Sequence, residues 1–174
     1  MKETWERLRL CHVKRWHIVR VAREQTVAEH SYNVWVITDK LLEFCAFSER
    51  ERRLALEWAL VHDEPEALFG DIPTSAKRAS GKLDAAVGEL NSSCIRWATV
   101  RDMCDTENTH IRALVKIADT VEAIWFLRQE AVSYHAKAVV ELLCAQLAQL
   151  LGDTPFFVKG DAARHYIGNL TGVM

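Results

Sequence analysis

The chain has 174 residues, 49% apolar and 26% charged, the size and balance of one compact domain and not of a disordered or fibrous chain. Its 22 Lys plus Arg against 24 Asp plus Glu leave a formal charge of -2, too even for an electrostatic footprint on duplex nucleic acid or a membrane surface. The 7 Gly and 3 Pro are too few and too clustered for a β-sandwich or barrel.

In chain order, a helix is expected before Lys14, on a stretch whose first residues carry no signal-peptide apolar run. Thr26-Val27-Ala28-Glu29 and Ser48-Glu49-Arg50-Glu51 both have the form of a capping box, in which the Ser or Thr caps a backbone N–H and the Glu reaches back. They predict helices over about Val27 to Phe47 and Glu49 to Asp63. The first carries Val27, His30, Val34, Ile37, Leu41 and Cys45 on one stripe at spacings of three and four. The segment from Glu64 to Pro73 breaks the pattern, with Pro65 suited to a helix first turn and Gly70 to a stop. Helical periodicity returns over Lys82 to Val100, Glu107 to Glu130 and Tyr134 to Leu151, closed by Gly152, with a short helix after Asp161. No strand alternation, repeat, linker or membrane-length apolar run competes, so residues 1–174 read as one all-α, irregular helical bundle. The five cysteines are scattered without a C-x-x-C pair, as expected of reduced thiols in a cytoplasmic protein.

Three places along this bundle carry candidate chemistry. His30 lies on the apolar stripe of its helix, so its ring points inward; alone it reads as a core histidine bonded to a carbonyl. His62-Asp63 closes the next helix after an apolar run, and Glu66 and Asp71 follow within eight positions. Carboxylates crowded into one turn-rich segment ask for a cation, although Glu64 also reads as part of a solvated acidic loop. Asp119 borders the apolar face of its helix beside Val115 and Phe126, and a pair with Lys116 is its simplest alternative. Together His30, His62, Asp63 and Asp119 make a mixed nitrogen and oxygen set suited to a borderline divalent transition metal.

With Arg15-Trp16, Glu29-His30-Ser31, His62-Asp63-Glu64-Pro65-Glu66, Gly70-Asp71-Ile72-Pro73-Thr74 and Lys77, these residues resemble the HD-domain metal-dependent phosphohydrolases from about Arg15 to Asp119. The resemblance points to the branch containing bacterial 5'-deoxynucleotidases and the dATP triphosphohydrolases of phages that replace adenine with 2-aminoadenine. Ser75 stands where the bacterial branch commonly has Pro, and the chain is shorter after the last ligand, which favours the phage-type enzyme. The resemblance implies an HD-type bundle and a metal (Zn, Co or Mn) on His30, His62, Asp63 and Asp119, activating water and polarising phosphate.

In the same reading, Glu66 orients or deprotonates the water, and Asp71 steadies a second divalent ion or the sugar. Arg15, Lys77 and Lys116 balance phosphate charge, each of them otherwise an ordinary solvated cation, while Trp16 and Ile18 wall the base unless they simply pack the core. The implied reaction is dATP to deoxyadenosine and tripolyphosphate, depleting dATP in the cytoplasm of a phage-infected cell, by a homo-oligomer that binds neither duplex nucleic acid nor membrane. A deoxynucleoside monophosphatase is the alternative, a hydrolase of cyclic nucleotides or alarmones a weaker one, and a non-catalytic helical binding module the remote one.

Overall fold

A computed structural model describes residues 2–152 and 156–173; the single-domain expectation also takes in Met1, residues 153–155 and Met174, which lie outside the described residues. Among the described residues the secondary structure is helical, with three isolated β-bridges and no extended strand. The helices are α1 (Lys2–Leu8, followed by a 3-10 turn at Arg9–Cys11), α2 (Val27–Leu42), α3 (Glu49–Val61), α4 (Glu66–Phe69), α5 (Thr74–Ala79), α6 (Gly81–Ser92), α7 (Ile95–Glu107), α8 (Thr109–Glu130), α9 (Tyr134–Gly152) and α10 (Gly160–Thr171). None is long and apolar enough to cross a membrane.

α8 is the axis of the molecule and packs against α2, α3, α7, α9 and α10. Twelve of its 22 residues are buried, among them Ile111, Leu114, Ile117, Val121, Ile124 and Leu127, because a helix apolar on most sides can be satisfied only inside a bundle. α2 lays Val34, Ile37 and Leu41 against this wall, and α3 adds Leu54, Trp58 and Val61. His30, on the same stripe of α2, is thereby carried into the core.

The boundaries differ from the sequence expectation where side chains compete with the helical ladder. The continuous helix expected over Lys82 to Val100 is two helices. The Ser92 hydroxyl donates to the Gly88 carbonyl at 2.9 Å and that of Ser93 to Leu90 at 2.6 Å, and Cys94 is extended. The break frees α7 to swing Trp97 onto Trp58, with ring centroids 5.8 Å apart. α2 ends at Leu42 instead of reaching Phe47, where Arg52 caps the Leu42 carbonyl at 2.8 Å. The Ser48 capping box is complete, whereas at Thr26 only half forms, since Glu29 takes Arg23 at 2.7 Å instead of reaching back.

Candidate metal centre and active site

Four helix segments converge on the centre. α2 supplies His30 from its first turns, the end of α3 supplies His62 as its C-cap and Asp63 just beyond, α4 supplies Glu66, and the middle of α8 supplies Asp119. The sharp turn after α4 needs Gly70, whose φ of 86° lies in the left-handed region, and it returns Asp71 toward Asp63 and Glu66.

The ligand atoms of His30, His62 and Asp119 lie within 4.8 Å of one another. His30 Nε2 is 3.3 Å from Asp119 Oδ1 and 3.5 Å from Asp63 Oδ2, and the same Asp63 oxygen is 3.4 Å from His62 Nε2. Both rings are turned by their other nitrogen: His62 Nδ1 donates to the Ala59 carbonyl at 2.9 Å and His30 Nδ1 to Glu122 Oε2 at 2.6 Å. The two Nε2 atoms are buried without a well-formed hydrogen bond although each faces a carboxylate oxygen, an arrangement expensive to maintain unless a cation takes the place between them. Two such imidazoles facing two carboxylates, with carboxylate or carbonyl support behind each ring, fit a borderline divalent ion. Asp63 stands outside the cluster formed by His30, His62 and Asp119, and its Oδ2 accepts from Arg15 at 3.1 Å.

The charges fit the same reading. Burial opposes ionisation of Asp63, but His62, His30 and Arg15 outweigh it and hold the carboxyl below its ordinary range. Burial likewise opposes ionisation of Asp119, and Lys116, His30 and His62 outweigh it, so this carboxyl lies far below the usual carboxylate range. Burial and Arg15 depress His30, yet Glu122 and Asp119 prevail and lift it to about 9. Glu66 goes the other way: burial, then Asp63 and Asp71, push it up to about 10. Its Oε2 is buried and unpartnered, so the metal-free centre holds Glu66 as a neutral acid.

The remaining expected site residues take distinct places. Arg15 bridges toward Asp63, and its guanidinium lies 5.4 Å from the Trp16 ring. Lys116 donates to Asp119 at 2.7 Å, the local pair that was the alternative reading of Asp119. Asp71 is 3.9 Å from His17 Nδ1, and Lys77 of α5 lies near enough to Glu66 and Asp71 to act on both carboxyls. Ile18 is 56% exposed and does not pack in the core. Trp16 is half-buried in an unusual backbone state for a bulky residue, φ 61°, with its ring parallel to Phe126 at 6.2 Å. Such strain costs about 1–3 kcal/mol and gathers where function requires it. Glu64 is not solvated: it is buried between Arg7 at 3.2 Å and Arg96 at 3.4 Å.

Sequence reasoning missed Glu122, Gln25 and Asn33. Glu122 is fully buried on α8 and accepts from His30, from Gln25 at 2.5 Å and from Asn33 at 3.0 Å, while Gln25 in turn accepts from the Trp16 indole at 2.9 Å. An acid between Val121 and Ala123 in an otherwise apolar run was the available signal. Burial works against its charge, but His30 first and then Arg15 keep it ionised. Glu122→Gln is expected to weaken metal binding by about 10- to 100-fold through loss of the anchor for His30, read by competition with a chromophoric chelator. Unchanged affinity would leave Glu122 a packing residue.

Residues 6–133 match the family described as 5'-deoxynucleotidase YfbR-like. The chain belongs to this family. It is 34% identical to a dATP triphosphohydrolase of Cyanophage S-2L over 157 residues, 90% of this chain and 87% of that protein. A dATP triphosphohydrolase of Salmonella phage PMBT28 is 29% identical, with 84% of this chain and 76% of that one covered. Among solved structures, the Cyanophage S-2L HD phosphohydrolase DatZ, bound to dA and one catalytic zinc ion, superposes with a TM-score of 0.86 at 30% identity, covering 100% of this chain and 99% of that chain. A conserved hypothetical protein from Pyrococcus furiosus, 24% identical with 97% of each chain covered, shares the fold at a TM-score of 0.69. The YfbR-like chain is therefore an all-α HD phosphohydrolase, as the resemblance implied.

Proposed function

We propose that this protein hydrolyses dATP to deoxyadenosine and tripolyphosphate at the centre formed by His30, His62, Asp63 and Asp119. The observation that carries the reading is the pair of unpartnered, inward-facing imidazole Nε2 atoms beside two carboxylates, in a chain 34% identical to a dATP triphosphohydrolase. The nucleoside and the zinc held by the cyanophage neighbour support the same ligands here. A divalent ion held by these four residues would supply Lewis acidity for phosphate and acidify water.

The chain's own residues account for the rest of the chemistry. Water attacks the α-phosphorus, the bond to the 5'-oxygen breaks, and that oxygen leaves protonated as deoxyadenosine. Glu66 takes the proton of the attacking water in this reading, and a carboxyl raised by its surroundings is the kind that exchanges protons near neutrality once cations are added. Arg15 and Lys77 oppose the upward shifts of Glu66 and Asp71, which supports their assignment as cations facing the substrate. Trp16, held between Phe126 and Arg15, and Ile18, exposed two residues on, are assigned to the base. A homo-oligomer working in the cytoplasm of an infected host belongs to the same reading, and light scattering on the purified protein checks the first part.

The family description favours a second reading, a 5'-deoxynucleotidase acting on monophosphates with the same four ligands. Product analysis separates the two. The triphosphohydrolase releases intact tripolyphosphate from dATP; orthophosphate from dAMP, with dATP untouched, assigns the chain to the nucleotidase.

The base adds a further expectation. Adenine lacks the 2-amino group of guanine and 2-aminoadenine, so a stiff apolar wall near carbon 2 would exclude both. Ile18→Ala is expected to improve activity on dGTP relative to dATP by about 1–3 kcal/mol of discrimination, measured as a ratio of kcat/KM values. A constant ratio in folded, metal-loaded variant would place selectivity elsewhere.

A further inference from the structure

A cleft of about 460 Å³ opens on His62, Asp63 and Asp119 and continues away from them. It follows the first turns of α8 past Lys116 to Arg112 and Thr109, with Asp105 of α7 on its wall. Arg112, Lys116 and Asp119 succeed one another at spacings of four and three, so they form one stripe of the helix. Arg15, Glu66, Asp71, Lys77 and Trp16 do not line the cleft; Arg15 meets it at Asp63, 3.1 Å away, and lies 5.4 Å from the Trp16 ring. With the base at Trp16 and the α-phosphate at the metal centre, this arm is the open space continuous with that centre for the phosphates beyond.

The two cations of the arm differ in availability. Lys116 is committed to Asp119 at 2.7 Å. Arg112 pairs with Asp105, but that carboxylate also accepts from Arg101 at 3.2 Å and would keep a partner if Arg112 turned to an anion. Both members of the Arg112–Asp105 pair are partly exposed, so the pair is weak and Arg112 can leave it at small cost. A guanidinium also fits two phosphate oxygens at once, which an ammonium does not. The volume exceeds what one phosphate fills.

The geometry points to a polyphosphate subsite in this arm, where Arg112 binds the phosphates beyond the α-phosphate and makes a triphosphate the better substrate. This rests on the dATP reading above and adds the residue that would enforce it. The test is equilibrium binding of dATP, dAMP and deoxyadenosine by calorimetry to zinc-loaded protein carrying Glu66→Gln to slow turnover, with Arg112→Ala, Arg112→Lys or Asp105→Asn added. Arg112→Ala should loosen dATP by about tenfold or more and leave deoxyadenosine unchanged, Arg112→Lys should fall between, and Asp105→Asn should keep the dATP affinity. Unchanged dATP binding in Arg112→Ala overturns the proposal, as does an equal loss for deoxyadenosine or a loss in Asp105→Asn as large as in Arg112→Ala. If the parent binds dATP no better than dAMP and releases only orthophosphate, the dATP reading falls and this one with it. If the parent yields tripolyphosphate and Arg112→Ala binds dATP normally, only the subsite is lost.

Discussion

Asp63→Ala is expected to abolish both turnover and stoichiometric binding of a divalent metal. Its Oδ2 lies 3.5 and 3.4 Å from the two imidazole Nε2 atoms and 3.1 Å from Arg15, so one substitution removes a ligand and the partner of a half-buried guanidinium. The variant should still fold, for a reason visible in the charges. Asp63 is one of the groups that keep Glu66 neutral, so its removal lets Glu66 ionise more readily and face Arg15 in its place. In the wild type, chelation should lower the unfolding temperature and zinc, cobalt or manganese should restore it. A metal held at a hundred times its Kd contributes roughly 2.7 kcal/mol to the native state alone. Asp63→Ala should show neither response. An active Asp63→Ala protein, whether or not it holds metal, would sink the site assignment.

Glu66→Gln should separate binding from chemistry. Glutamine keeps the size of the side chain and resembles the neutral acid that the metal-free site already holds, so nucleotide binding should survive while turnover drops by about two to four orders of magnitude. Near-normal turnover would make Glu66 structural. A second consequence is readable without any activity. The Glu66 carboxyl is raised from an ordinary 4.5 to about 10, so the folded state retains a proton that the unfolded chain releases. Its contribution to stability is complete below about pH 4.5 and is lost progressively as the pH rises toward 10. Metal-free wild type should therefore lose stability with rising pH over that window, and metal-free Glu66→Gln should lack this component. Parallel pH profiles for the two proteins would show that Glu66 is not held neutral.

The helices were legible where one side chain pattern dominates. The α2 stripe from Val27 to Leu41 and the apolar run of α8 have no reasonable use except in a helical core, and the capping box at Ser48 marks its helix start without help from elsewhere. The break between α6 and α7 was not legible from periodicity, since Ser92 and Ser93 are tolerable helix residues whose hydroxyls turn against the helix only when the packing of Trp97 favours the bend. The true end of α2 was hidden for the same reason: Arg52, ten residues away in the chain, caps it.

For the site, the sequence by itself determined which groups were candidates: His30, His62, Asp63 and Asp119 on or beside apolar helix faces, with Glu66 and Asp71 in the turn-rich segment that follows. Residue type and helical period are local properties, so one chain suffices to state them. Only the tertiary structure decided which partner each group meets. It gave Glu122 to His30 across 92 positions and Arg15 to Asp63 across 48, committed Lys116 to Asp119, and buried Glu64 between two arginines instead of leaving it to solvent. Such pairings depend on charges brought within a few ångströms in a poorly screened interior, and no spacing along the sequence encodes that distance.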